Sequence, residues 1–119
     1  MNDVGQLKLT RSKEGKACKI VVSGRLTASG GDAAFHDEMG AAIGEGERQF
    51  VLDFTDLQTL DSSGLGELVG VAFAVKHAGG SMAWVACPRT MLDLLKITKV
   101  EPAGVTFHDS VDEAVKALG

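Results

Sequence analysis

The stretch VLDFTDLQTLDSSGLG, residues 51–66, carries an apolar strand through a short polar link into Asp61-Ser62-Ser63-Gly64 and then into a helix. Phe50 to Phe54 is nearly continuous in apolar residues and reads as a buried strand. Asp61, Ser62 and Ser63 are residue types whose oxygens accept from the unpaired N–H groups of a first helical turn, and Gly64 lets that turn pack closely. The plain reading is a cap made by Ser62 or Ser63. The positive dipole end of such a helix, roughly half a charge, also accepts a carboxylate or a phosphate, so function is expected at these two hydroxyls.

On the N-terminal side, residues 4–11 and 16–23 alternate loosely through Leu7, Leu9, Ile20 and Val22 around a charged Lys-Glu-Gly link, which predicts an antiparallel hairpin. Gly24-Arg25-Leu26-Thr27-Ala28-Ser29 reads as a turn carrying possible caps, followed by Phe35, Met39, Ala42 and Ile43 at helical spacing. Gly44 and Gly46 stop that helix. On the C-terminal side, a helix from about Ser63 to Ala78 has Leu65, Leu68, Val69 and Ala72 as its core stripe and Glu67, Gly70, Ala74 and His77 opposite. Gly79-Gly80 ends it, and Met82 to Cys87 is the next strand. Pro88 suits the first position of a short helix holding Met91, Leu92 and Leu95. Val105 to His108 is a last strand, and Ser110 with Glu113 matches a capping box before a helix with Val111, Ala114, Val115 and Leu118 on one face.

The order β-β-α-β-α-β-α-β-α predicts an α/β fold: a mixed sheet of four to five strands, an N-terminal hairpin, right-handed crossovers and about four helices. Partners of such sheets meet strand ends where helices begin, and the Asp61–Gly66 turn lies at one. At 119 residues the chain is expected to form one domain over 1–119, burying roughly two thirds of its unfolded surface. Hydrophobic residues at 45% and charged residues at 24% argue against disorder. A net charge of -4 with scattered lysines and arginines disfavours direct nucleic-acid binding. MNDVGQLKL lacks a charged segment followed by an apolar run, and nowhere do 18 apolar residues follow one another, so no membrane insertion and a cytoplasmic location are expected. Cys18 and Cys87 lie in separate apolar stretches without ligand spacing and read as free buried thiols.

Enzyme chemistry finds no support in the spacing. Gly64-Leu65-Gly66 begins like a dinucleotide fingerprint, but Val69 occupies its last glycine position and Gly70 is one residue late. A G-x-S-x-G elbow is absent, with Asp61 and Leu60 before the serines. Asp53, Asp56 and Asp61 suggest a magnesium or phospho-aspartate site, yet the acidic pair after a first strand and the lysine after a last one are missing. Asp53 and Asp56 therefore read as turn residues. His36, His77 and His108 are isolated. No catalytic residue, metal site or cofactor is expected, and the outward face of the second helix, small at Gly70 and Ala74, suits close approach by a protein.

The layout of nearly the whole chain resembles the STAS domain, and within it the bacterial anti-sigma-factor antagonists. The resemblance rests on Gly24-Arg25-Leu26, the VLDF strand, D-S-S-G-L-G at 61–66, Gly79-Gly80 and Pro88. It implies that an anti-sigma factor, itself a serine kinase, phosphorylates the serine after the aspartate, here Ser62 with Ser63 the runner-up. A serine phosphatase would reverse the mark. It implies a partner surface at Asp61, Ser62, Ser63, Gly64, Gly66, Glu67, Gly70 and Thr27. Antagonists of this kind often carry aspartate where this chain has Thr27, so a carboxylate contact to the partner is missing, although threonine can still cap a helix. The same fold also implies an alternative: a non-phosphorylated module serving as a cytoplasmic subunit of a lipid-transport or stress-sensing complex.

Overall fold

A tight Gly15-Lys16 connection joins β1 (Lys8–Glu14) and β2 (Ala17–Leu26) into the antiparallel hairpin, with Glu14 opposite Ala17 and Lys8 opposite Ser23. The computed structural model describes residues 6–98 and 104–118; the expected strand start at residues 4 and 5 lies outside them. The remaining elements are α1 (Asp32–Gly44), β3 (Gln49–Asp53), β4 (Leu57–Leu60), α2 (Ser62–His77), β5 (Ser81–Val85), α3 (Arg89–Thr98), β6 (Val105–His108) and α4 (Val111–Leu118). The sheet runs β1-β2-β3-β5-β6, parallel except for the hairpin, and β4 pairs in parallel with the end of β2.

The period-two alternation of the central strands divides the core. Phe50, Leu52, Met82 and Trp84 face one side, where they meet Phe35 and Met39 of α1, Leu65 and Leu68 of α2, and Met91 and Leu95 of α3. Val51, Ala83 and Val85 face the other side under Ala114 of α4. Each large side chain so buried contributes roughly 1.5–3 kcal/mol. The stripe of α2 is broader than its sequence suggests: Val71 and Val75 are buried, and Val69 only partly. Pro88 lies just before α3, its carbonyl accepting from Met91 and Leu92 N–H. Ser110 Oγ accepts from Glu113 N at 3.2 Å, the expected serine half of the capping box.

Two local expectations are corrected. Among the described residues the sheet has six strands, because Leu57–Leu60, read as a polar link, is β4. Four residues with leucine at each end carry no alternation, so the strand exists through its pairing partner alone. That partner is Gly24-Arg25-Leu26, which is the continuation of β2 and not a turn. Gly24 has φ +88°, and the register shifts between Gly24 and Arg25, so a glycine-borne bulge bends β2 and re-aims it at β4. α1 follows Gly31, which makes no side-chain cap, so neither Thr27 nor Ser29 caps a helix.

Candidate functional site

β2 and β4 deliver two chain segments side by side at one end of the sheet. Leu26 pairs with Leu60, which places Thr27 and Ala28 beside Asp61. Asp61 caps α2: its Oδ1 accepts from Gly64 N at 2.8 Å and its Oδ2 from Ala28 N at 3.1 Å. One carboxylate therefore closes the first turn of α2 and ties it to the loop after β2. The Gly64 amide first, and the Ala28 amide second, hold this carboxyl below the usual aspartate range.

The cap is Asp61, and neither serine fills that role as expected. This correction matters for the chemistry, because it leaves both hydroxyls outward on the first turn. Ser62 is exposed and makes no side-chain hydrogen bond among the described residues. Ser63 is exposed too, but its Oγ donates to Asp32 Oδ2 at 3.3 Å. Gly64 is buried, and a Cβ there would stand 2.1 Å from the Leu26 carbonyl oxygen, so the helix can approach β2 only at a glycine. Thr27 is folded into its own loop: its N–H donates to Gly30 O at 2.9 Å and its Oγ1 to the same oxygen at 3.2 Å. Its side chain shapes the loop from inside.

Beside the turn, α1 and α2 enclose an open groove of about 290 Å³. Gly66, Glu67, Gly70 and Ala74 line it from α2, and His36, Gly40 and Ile43 from α1. His36 Nδ1 lies 3.2 Å from Glu67 Oε1 across it. A Cβ at Gly40, Gly66 or Gly70 would meet nothing within 4 Å among the described residues. Helix-interior glycine costs roughly 1 kcal/mol relative to alanine, and no close approach among the described residues requires it at these three positions. His77, expected on the same face, does not line the groove.

With this turn and groove in place, the chain matches over residues 9–105 the family described as Mlab, STAS domain. It belongs to the STAS domain family. STAS chains of known structure share its fold closely. An anti-sigma factor antagonist from Mycobacterium paratuberculosis aligns with a TM-score of 0.81 at 18% identity, covering 96% of this chain and 95% of that one. The antagonist SpoIIAA in its unphosphorylated form gives 0.70 at 19% identity, with 93% and 94% covered. The phosphorylated form of SpoIIAA, a Bacillus cell fate determinant, gives 0.71 at 18%, with 95% and 99% covered. At these identities the likeness is one of fold. No curated protein matches the chain.

Other candidate residues of this STAS chain have local roles. Asp53 Oδ1 accepts from Thr55 N at 3.0 Å and Thr55 Oγ1 at 2.6 Å, the turn role expected of it. The Asp56 carbonyl accepts from Gly24 N at the bulge. His108 Nε2 lies 2.8 Å from Thr106 Oγ1. Both cysteines are free, Cys18 fully buried and Cys87 partly, and burial pushes the Cys87 thiol up to about 12. No described helix is long and apolar enough to cross a membrane. Sequence reasoning missed Asp32, His36 and Gly40, which α1 brings against α2. Glycine inside a helical pattern at position 40 was the one available signal.

Proposed function

We propose that this STAS domain is an anti-sigma-factor antagonist acting by binding and not by catalysis, switched off by phosphorylation of Ser62. The observation that carries the reading is Ser62 itself: an exposed hydroxyl without a hydrogen-bond partner among the described residues, on a helical turn that Asp61 fixes independently of it. Unmodified, the turn and the α1–α2 groove dock an anti-sigma factor that is also a serine kinase, and a sigma factor is released. The three groove glycines support a close-packed interface of this kind, since no close approach among the described residues requires them. A serine phosphatase in the same cytoplasm returns the protein to its binding form.

Phosphorylation adds about -1.5 to -2 charges at Ser62. Burying such charge uncompensated at an interface costs several kcal/mol, and about 2.7 kcal/mol already weakens binding a hundredfold. Within the free protein the phosphate sits at the positive end of α2, so the fold tolerates it. SpoIIAA shares this fold in both its phosphorylated and its unphosphorylated form, which supports a switch that leaves the fold in place.

The test is to incubate the protein with ATP and a cytoplasmic extract of its source cells and map added phosphate by mass spectrometry. One phosphate on Ser62, lost in Ser62→Ala, is the expected result. Ser62→Asp should fail to capture the kinase that Ser62→Ala retains. An unmodified chain would instead favour the non-phosphorylated module of a transport or sensing complex, and phosphate that persists in Ser62→Ala would remove Ser62 from the switch.

A further inference from the structure

Two neighbouring serines share the first turn of α2, yet their surroundings differ in one charged group. Asp32, the first residue of α1 and only partly exposed, directs Oδ2 at Ser63 Oγ, 3.3 Å away, while its Oδ1 accepts from Ala33 N at 2.8 Å. Both oxygens are thus held, and the carboxylate is oriented by the helix it begins. Ser62 points elsewhere, because successive residues on a helix are turned by about 100° from one another. Asp61, the other carboxylate of the turn, is occupied by the Gly64 and Ala28 amides.

We infer that Asp32 is a specificity-determining residue: it confines modification of this turn to Ser62 by making Ser63 a poor acceptor and an unfavourable place for a phosphate. The inference rests on the proposed phosphorylation of the turn. In that transfer a serine Oγ forms the new P–O bond as the bond from the γ-phosphorus of ATP to the departing ADP breaks, and the hydroxyl proton passes to a base of the kinase. At Ser63 the hydroxyl proton is held toward Asp32, so a kinase base must first displace that hydrogen bond before it can take the proton. The same carboxylate repels the incoming γ-phosphoryl group and then the phosphate product. Ser62 makes no hydrogen bond to a carboxylate among the described residues, and the charge of its neighbour Asp61 is turned onto the Gly64 and Ala28 amides.

The electrostatic half of the inference can be tested without a kinase. Phosphoserine is installed at position 62 or 63 by expanded-code expression, each with and without Asp32→Asn, and melting temperatures are compared. Asparagine keeps the oxygen that accepts from Ala33 N and removes the charge. Phosphoserine at 63 is expected to lower the melting temperature by about 5 °C, and Asp32→Asn to recover most of that loss. Phosphoserine at 62 should shift it by roughly 1 °C or less, with no response to Asp32→Asn. Equal shifts at the two positions, or a loss at 63 that persists in Asp32→Asn, would overturn the assignment. In the extract assay, Asp32→Asn should add phosphate at Ser63, and modification still confined to Ser62 would equally count against it. A chain left unmodified by the extract refutes the proposed function and the kinase half of the inference with it, whereas the melting comparison on the installed phosphates decides the electrostatic half by itself.

Discussion

The glycines in and just after α2 fall into two groups that look alike in the sequence and differ in what surrounds them. At the ends, a Cβ on Gly64 would stand 2.1 Å from Leu26 O, and one on Gly80, just past the helix, 2.1 Å from Arg48 O. In the middle, Gly66 and Gly70 face open space, as Gly40 of α1 does across the groove. The end glycines set how closely α2 lies on the sheet. The middle ones weaken the helix and leave a shallow, small-residue surface beside Ser62. Along α2 and the turn that follows it, therefore, glycine serves the fold at the two ends and leaves an outward surface between them.

The sharpest way to break this distinction is at the ends. Gly64→Ala and Gly80→Ala each force a methyl group onto a backbone carbonyl that cannot swing aside, and each should destabilise the protein by about 3 kcal/mol in urea denaturation. Gly64→Ala should also loosen Asp61 from Ala28. A stability within about 0.5 kcal/mol of the parent would mean that the close approach is not required.

The cap at the same end gives a pH signature of its own. The Asp61 carboxyl is held below the value near 4 that it takes in an unfolded chain. The unfolded state therefore binds its proton first as pH falls, so the contribution to stability is complete above that value and is lost as pH drops through the lower, folded one. The melting temperature of the wild type should exceed that of Asp61→Asn at pH 6, and the gap should close progressively below pH 4. A gap that does not change between pH 6 and pH 2.5 would show that charge plays no part in the cap.

The smallest effects belong to the middle of the helix, and their sign is opposite. Gly66→Ala and Gly70→Ala should each raise stability by about 0.5–1 kcal/mol, because alanine meets no neighbour and is the better helix former. The same substitutions should weaken partner binding, since they fill the groove. Loss of stability at either position would erase the contrast with Gly64 and Gly80.

Much of this was readable from residue order. The buried strand through Val51, the helix following it, the antiparallel hairpin and the alternation of strands and helices all follow from hydrophobic periodicity and turn residues. So does the motif that marks the candidate site, Asp61 to Gly66. Less legible were the features that depend on two distant segments meeting. β4 has no strand pattern, and Gly24-Arg25-Leu26 resembles a turn because its glycine bends a strand that in fact continues. The capping residue could not be chosen among Asp61, Ser62 and Ser63 from type alone, since all three accept from helix amides.

The sequence by itself determined the α/β layout, the buried strands and the position of a serine-bearing helix start, because these depend on local periodicity and on which side chains can accept from the amides of a first turn. The tertiary structure alone decided which oxygen makes the cap and which hydroxyl is left free. β2 and β4 had to pair before Ala28 could reach Asp61, and α1 had to pack against α2 before Asp32 could hold Ser63 and leave Ser62 unengaged.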